Sequence, residues 1–309
     1  MLTLLQDIGR LGVAQQGLSQ GGAVDLHAYC WANYLLGNEM VCSQLEITLG
    51  QASFRADSDL FCAIAGADLG ATLDDQPIAP WQSFHVQKGQ TLAFGYPKAG
   101  LRAYLAVGGG FQIPPVLGSV SAVVRNKMGG LRSGQPLEVG DKLSVASMET
   151  LQQAQQQRCA RHSGQSIPPR YIPDYNTPLQ LRVIESYQHA LFSAEEKDRI
   201  YQNAYKLTQH SDRMGCRLEG PAVATQLDGI VSEGIAYGAI QIPANGQPII
   251  LLNDRQTLGG YPKLGCVARV DMPKLAQAMP GKEIQFLRGD LDTLVQEWQQ
   301  FSRFFGLPF

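Results

Sequence analysis

The sequence predicts an all-β protein with a few short helices, arranged as two β units in tandem. Three observations predict it. Short apolar runs recur about every eight to twelve residues, separated by Gly, Asp, Pro or Lys turns, which is the spacing of a barrel or sandwich. Composition breaks once near the middle, where residues 149–166 are rich in Gln and basic side chains and Ile167–Pro178 carries four prolines. A faint repeat links the halves: each sets an early helix among short strands. Each also places a glycine turn before a strand, Lys88-Gly89-Gln90 in one and Pro280-Gly281-Lys282 in the other.

The elements follow in order. Gly9, Gly12, Gly17, Gly21 and Gly22 make residues 1–25 too glycine-rich for a helix. Asp25 caps a helix over Leu26–Leu36, which Gly37-Asn38 ends. Strands are expected at Leu45–Leu49, around Phe54, and at Leu60–Ala65, Ala71–Leu73, Ser83–Val86, Thr91–Phe94 and Arg102–Val107. The glycine-rich stretch 108–140 lacks periodicity and reads as a groove-lining loop, and Leu143–Ser147 closes the first half as a strand. Expected domains are therefore 1–150, a linker 151–178, and 179–309. The second half opens with a strand at Leu179–Ile184. Ser193, with Glu196 three residues on, caps a helix to about Ala204. Strands follow at Tyr205–Thr208, Cys216–Leu218, Ile230–Ser232, Ala239–Ile242, Ile249–Leu252, Cys266–Val270 and Glu283–Leu287. A short helix begins after Asp271, and a last one covers Leu291–Phe304 with Leu294, Trp298 and Phe301 on one stripe.

Composition excludes several classes. With 25 Lys+Arg against 27 Asp+Glu in 309 residues, the chain lacks the basic footprint of a nucleic-acid binder. Six cysteines without a CxxC pair read as buried thiols in a reducing compartment. Gln6 and Asp7 interrupt the first apolar run, and no window approaches about eighteen apolar residues, so neither a leader nor a membrane helix is expected. A cytoplasmic protein is the expectation. Five histidines without HExxH or other ligand spacing argue against a metal centre. Magnesium is not excluded on this ground, since one or two carboxylates suffice for it. GxxxxGK[ST], GxGxxG after a strand, and GxSxG are all absent.

What remains is arginine, carboxylate and amide chemistry in glycine-rich loops. In Gly238–Lys263 an apolar run ends at Asn253-Asp254-Arg255-Gln256-Thr257, and Gly259-Gly260-Tyr261-Pro262-Lys263 follows. After a strand, with glycines to bend the chain, these side chains can converge on one rim; a polar hairpin tip is the plainer reading. Further groups are Gln6, Asp7 and Arg10, the loop Ser211-Asp212-Arg213 with Arg217, and Ser232-Glu233-Gly234. Arg213 can present a planar fork to a carboxylate, while each arginine also reads as an internal staple of its loop. Asp254 and Lys263 are the acid–base or electrostatic candidates. Tyr261 reads as a lid or as packing, and Glu46 as a buried arginine partner or a site residue. If Arg213 and Asp254 line one cleft, replacing either is expected to cost activity far more than fold.

These residues fall in motifs that resemble one family. QDIGR at Gln6–Arg10, LEITLG at Leu45–Gly50, RAYLAVGGG at Arg102–Gly110, SDRMGCRLEGP at Ser211–Pro221 and NDRQTLGGYPK at Asn253–Lys263 are similar to the family of the bacterial 5-oxoprolinase C subunit. The same family is also called biotin-dependent carboxyltransferase, allophanate hydrolase subunit 2, and kinase-inhibitor antagonist. The resemblance implies two cyclophilin-like β-barrel domains. It also implies one polypeptide of a complex that opens 5-oxo-L-proline to L-glutamate with ATP, together with two partner subunits. ATP, with magnesium as its companion, would be used by the complex, no nucleotide motif being visible here; homo-oligomerisation stays open. The implied catalytic residues are Asp254, Lys263 and Arg213. The implied substrate-binding residues are Gln6, Asp7, Arg10, Glu46, Arg125, Asn253, Gln256, Thr257 and Tyr261. The chain departs from the family in the loop Ser119–Gly130, where a usual acidic residue and hydroxyl are missing and Arg125 stays. It departs again at Asp212 and Cys216, where Asn and Tyr are usual. Two rivals stand beside this reading: a carboxyltransferase acting on urea or a similar small amide, and a non-enzymatic regulator docking through Phe301, Phe304, Phe305 and Phe309.

Overall fold

The computed structural model describes residues 2–146, 151, 153–227 and 229–307. The chain divides into two compact units: one comprises the segment up to Leu11, Gly21–Asn176 and Phe305–Leu307; the other comprises Gly12–Gln20 and Thr177–Phe304.

The first unit is two open antiparallel sheets. Strands β1 (Leu2–Gln6), β2 (Gln44–Thr48), β3 (Ala52–Arg55), β4 (Leu60–Asp68), β5 (Thr72–Leu73), β6 (Gln76–Pro77), β7 (Gln82–Val86), β8 (Thr91–Phe94) and β9 (Ala99–Val107) supply it. They form the orders β1-β2-β9-β4-β7 and β3-β8-β5-β6. Alternating apolar residues of both sheets, among them Leu45, Ile64, Leu105, Leu92 and Phe94, share one core. Helix α1 (Leu26–Tyr34) is capped by Asp25, whose carboxylate accepts from Ala28 N at 2.8 Å.

The expectation of two tandem cyclophilin-like barrels is overturned here. The fold is mixed, with one closed barrel and several open sheets. In the first unit irregular backbone takes the place of closing strands. Ala122 N and Leu137 N donate to Leu5 O and Thr3 O on the outer edge of β1, each at 2.9 Å. Ser83 N donates to Gln165 O and Ile167 N to Trp81 O beside β7, again at 2.9 Å. Both edges are thus covered by loops, which removes the need for closure. The expected strand at Leu143–Ser147 reduces to a bridge between Phe111 and Val145, with Ser147 outside the described residues. The Gln-rich linker carries a helix, α2 (Gln153–His162).

The second unit holds the closed barrel. Its strands are β10 (Leu179–Glu185), β11 (Ala204–Leu207), β12 (Gly215–Glu219), β14 (Ala239–Gln241), β15 (Ile249–Leu251), β17 (Lys263–Val267) and β18 (Glu283–Arg288). The ring runs β10-β17-β14-β15-β12-β11-β18, and parallel pairing of β10 with β18 closes it. Leu181, Leu218, Ile240, Ile250, Leu264 and Phe286 are fully buried at alternate positions. Outside the ring, β13 (Glu233–Gly234) pairs with β16 (Leu258–Gly259) as a small flap; the sequence places that strand slightly early, at Ile230–Ser232. Helices α3 (Ala194–Gln202), α4 (Met272–Ala276) and α5 (Leu291–Phe305) complete the unit's share of the chain. Arg182 of β10 forks onto Asp271 at 2.9 Å, at the start of α4, and onto Glu297 of α5 at 2.8 Å. No helix among the described residues is long and apolar enough to cross a membrane, and all six cysteines are free.

The β2–β3 connection carries the tightest backbone constraint in the LEITLG motif. Leu49, Gly50 and Gln51 all have positive φ, and a Cβ on Gly50 would sit 1.8 Å from the Gly95 carbonyl oxygen. Gly50→Ala is therefore expected to destabilise the protein by about 3 kcal/mol or more, read as a lowered denaturation midpoint. A midpoint equal to the parent's would contradict this packing.

Candidate active site

Strand register builds the site. Arg217 of β12 pairs with Ile249 of β15, Ile249 with Gln241 of β14, and Gln241 with Lys263 of β17. Because Ile240, Ile250 and Leu264 fill the barrel, this four-residue row stands on the outer face. A bulge between Ile240 and Gln241 skips Leu264 and keeps Lys263 in the row. Over three of the four, Arg217, Ile249 and Gln241, lies a cleft of about 730 Å³ whose walls also include Met214, Gln256 and Tyr261.

The polar tip beyond β15 is buried, not a solvated hairpin end: Asn253 is 8% and Asp254 4% exposed. Arg213 Nε donates to Asp254 Oδ2 at 3.0 Å and Nη2 to Oδ1 at 3.1 Å. The backbones join there as well, Asp254 N donating to Arg213 O at 2.9 Å. The two loops singled out in the sequence thus meet, and they do so as a two-pronged ion pair at the end of β12 and β15. Ser19 Oγ adds bonds to the carbonyls of Asp254 and Arg255 at 3.1 and 2.7 Å. Asp212 does not charge-pair with Arg213; its Oδ1 accepts from Met214 N at 2.7 Å and Gly215 N at 3.2 Å, closing the turn.

Lys263 is buried, and its Nζ lies 2.5 Å from Glu233 Oε1 on the flap. Glu233 also accepts from the Tyr187 hydroxyl and from Gln188 Nε2, the latter at 2.6 Å. Hydrogen bonding from Lys263 first, then from Tyr187, holds the Glu233 carboxyl below its ordinary value of 4.5. The flap is sealed by Ile230 N to Gly260 O at 2.8 Å and Ile235 N to Thr257 O at 3.0 Å. Ile235 packs on Ala239 and Leu251 beneath it. A cation held in a half-dry place beside an open cleft is suited to stabilising developing negative charge.

The remaining predicted residues lie in the first unit and are tied into it. Asp7 accepts from Ser119 Oγ at 2.6 Å, Ser121 Oγ at 2.5 Å, and Gly9 N and Val120 N at 2.8 Å. Gln6 Nε2 donates to Ala122 O at 2.9 Å, and Arg10 donates to the carbonyls of Val116 and Ser119 at 2.9 and 3.1 Å. Glu46 accepts from Tyr104 Oη at 2.6 Å and Val24 N at 3.0 Å, with Arg102 Nε 3.7 Å away. Arg125 is exposed. In the second unit Gln256 and Thr257 are half-buried and Tyr261 is 43% exposed. Among the described residues no group of three His, Cys, Asp or Glu could hold a metal ion.

A family model described as carboxyltransferase domain, subdomain A and B, matches residues 16–288. The chain belongs to the biotin-dependent carboxyltransferase domain family. The chain is 34% identical over 306 residues to the 5-oxoprolinase C subunit of Escherichia coli, covering 99% of this chain and 94% of the relative. It is 29% identical over 300 residues to urea amidolyase of Saccharomyces cerevisiae, covering 92% of this chain and 16% of that protein. Among solved structures, Kluyveromyces lactis urea carboxylase superposes with a TM-score of 0.88 at 27% identity, over 97% of this chain and 28% of that one.

Sequence reasoning missed Gln241. It sits in an alternating strand, where a glutamine reads as an ordinary solvated position, and only the register reveals its neighbours.

The ion pair and the flap each give a test. Arg213→Ala and Asp254→Ala are each expected to cost about 3–5 kcal/mol by removing one partner of a buried, two-pronged ion pair, and the double variant less than their sum. Denaturant unfolding of the four proteins checks this; additive or negligible losses would contradict the pairing. Glu233, with its pKa lowered on folding, contributes above the ordinary carboxylate value and loses that contribution as pH falls through its folded value. The protection of the Ile230 and Ile235 amides, measured against their intrinsic exchange rates at each pH, should therefore hold at pH 4.5 and fall only at lower pH. In Glu233→Gln that pH response should disappear.

Proposed function

We propose that this chain is the carboxyltransferase component of a multi-polypeptide system, moving a carboxyl group at the nitrogen of urea or a similar small amide. The supporting observation is the buried Lys263 ammonium, paired with the part-exposed Glu233 and standing next in the strand row to Gln241 of the cleft wall, on a chain matched by the family model over residues 16–288. A carboxylated biotin carried by a partner polypeptide would supply the carboxyl group, its N–CO2 bond breaking as the bond to the acceptor nitrogen forms and the acceptor's N–H proton passing to the biotin nitrogen. The chain's own residues then bind and orient. The Lys263 ammonium faces the oxygen on which charge develops, and Ile249, Leu251 and Met214 form an apolar floor that strengthens that interaction by excluding water. Tyr261 closes one wall and Gln256 adds a polar group there, while Asn253 and Thr257 lie outside that lining. Arg213 and Asp254 hold the strand ends in place and act as positioning residues in this reading. ATP use is assigned to partner subunits.

A second reading is favoured by length. The chain covers 94% and 86% of the 5-oxoprolinase C subunits of Escherichia coli and Haemophilus influenzae, against 16% of the yeast enzyme. In that case the same cleft would serve ATP-dependent opening of 5-oxoproline with two partner subunits, Lys263 again facing the oxygen that gains charge. A patch for a regulatory partner is less favoured: Phe305 packs on Trp31, Phe304 is exposed, and Phe309 lies outside the described residues.

The deciding experiment supplies the chain with a carboxylated biotin carrier and labelled carboxyl groups, with urea or acetamide as acceptor. Labelled product is expected, falling about a hundredfold or more in Lys263→Met while the melting temperature changes far less. No transfer to any amide, together with ATP-dependent glutamate release in the presence of the two partner subunits, would replace this reading with the second.

A further inference from the structure

Gln241 is 1% exposed, lines the cleft, and among the described residues its Nε2 has no hydrogen-bond partner. A buried carboxamide in that state is costly to keep. Gly259 of the flap packs on the amide so closely that an added Cβ would lie 2.7 Å from Nε2 and 2.5 Å from Ile235 Cδ1. The missing side chain leaves the amide its room. On either side in the row stand Ile249, which is apolar, and Lys263, which is engaged by Glu233.

We propose that the Gln241 carboxamide is a recognition group of the cleft, reading ligands that carry an N–H and a C=O on the same side of one amide. A carboxamide offers one donor and one acceptor side by side, so it matches such a ligand through two antiparallel hydrogen bonds. Lactams, cyclic ureas and primary amides present that edge. Open-chain secondary amides, which are trans, do not. Ile249, next to Gln241 in the row and part of the cleft wall, gives the ligand's flat face an apolar seat. This assignment rests on the proposed reading of the same cleft and deepens it by naming what selects the ligand.

The test uses the full chain and nuclear magnetic resonance of side-chain amides, with the Gln241 signal identified by its loss in Gln241→Met. Adding γ-butyrolactam or ethyleneurea is expected to shift that signal. N-methyl-γ-butyrolactam, which lacks the N–H, and N-methylacetamide are expected to leave it in place. Gln241→Met should weaken lactam binding about tenfold or more. Its melting temperature should equal or exceed the parent's, because a donor without a partner is removed. A signal unmoved by either cyclic ligand, or moved equally by the N-methylated one, would overturn the assignment. So would full lactam affinity in Gln241→Met. If carboxyl transfer is absent but the lactam response is present, recognition by Gln241 stands and the proposed reaction falls. Transfer with unchanged KM in Gln241→Met leaves the reaction standing and overturns the recognition role.

Discussion

The candidate site depends on one constraint, the register of four neighbouring strands on a closed ring. A slip of one residue in β14 would turn Gln241 into the barrel and put Ile240 outside. That slip is blocked because Ile240, Ile250 and Leu264 bury their side chains in the interior and because the ring has no free edge along which strands could shift. The apolar inner row thus fixes the polar outer row. Arg217, Ile249, Gln241 and Lys263 stand together without any contact between them having to hold the arrangement.

Two charge pairs then shape the ends of that row, and they differ in character. Arg213 and Asp254 are almost wholly buried and meet through both prongs of the guanidinium, so they lock loop to loop. Lys263 and Glu233 join a buried cation to a carboxylate that is about one-third exposed on a two-stranded flap. A lock of the first kind sets geometry. The second kind holds a charge at the cleft and ties the flap down over Ala239 and Leu251.

Much of the architecture was legible in the sequence where a local cause was strong. The strand Thr91–Phe94 has the limits read from its turn residues, and the helices after Asp25 and Ser193 begin where side-chain caps accept from Ala28 N and Glu196 N. Closure of the first unit, which the family resemblance implied, does not occur, and strand alternation could not have shown this because it does not say what covers a sheet's edges. The covering here comes from aperiodic loops such as 116–137. Helix α2 was missed because glutamine and arginine favour helix without an apolar stripe to announce it; Cys159 is its one fully buried hydrophobic residue among those described. Of the candidate side chains, Arg213 and Asp254 stood out because charge beside glycine is conspicuous. Asp7 and Glu46 stood out equally, yet they are saturated by bonds within their own unit. Only tertiary pairing separates those outcomes, and the same holds for Gln241.

A crystal structure of the chain grown with ethyleneurea tests the central claim most directly. The account predicts ligand density over Ile249, within hydrogen-bonding distance of the Gln241 carboxamide and bordered by Tyr261. Density confined to the first unit, in the apolar hollow of about 400 Å³ lined by Phe54, Leu92 and Phe111, with the outer row of the barrel bare, would contradict it.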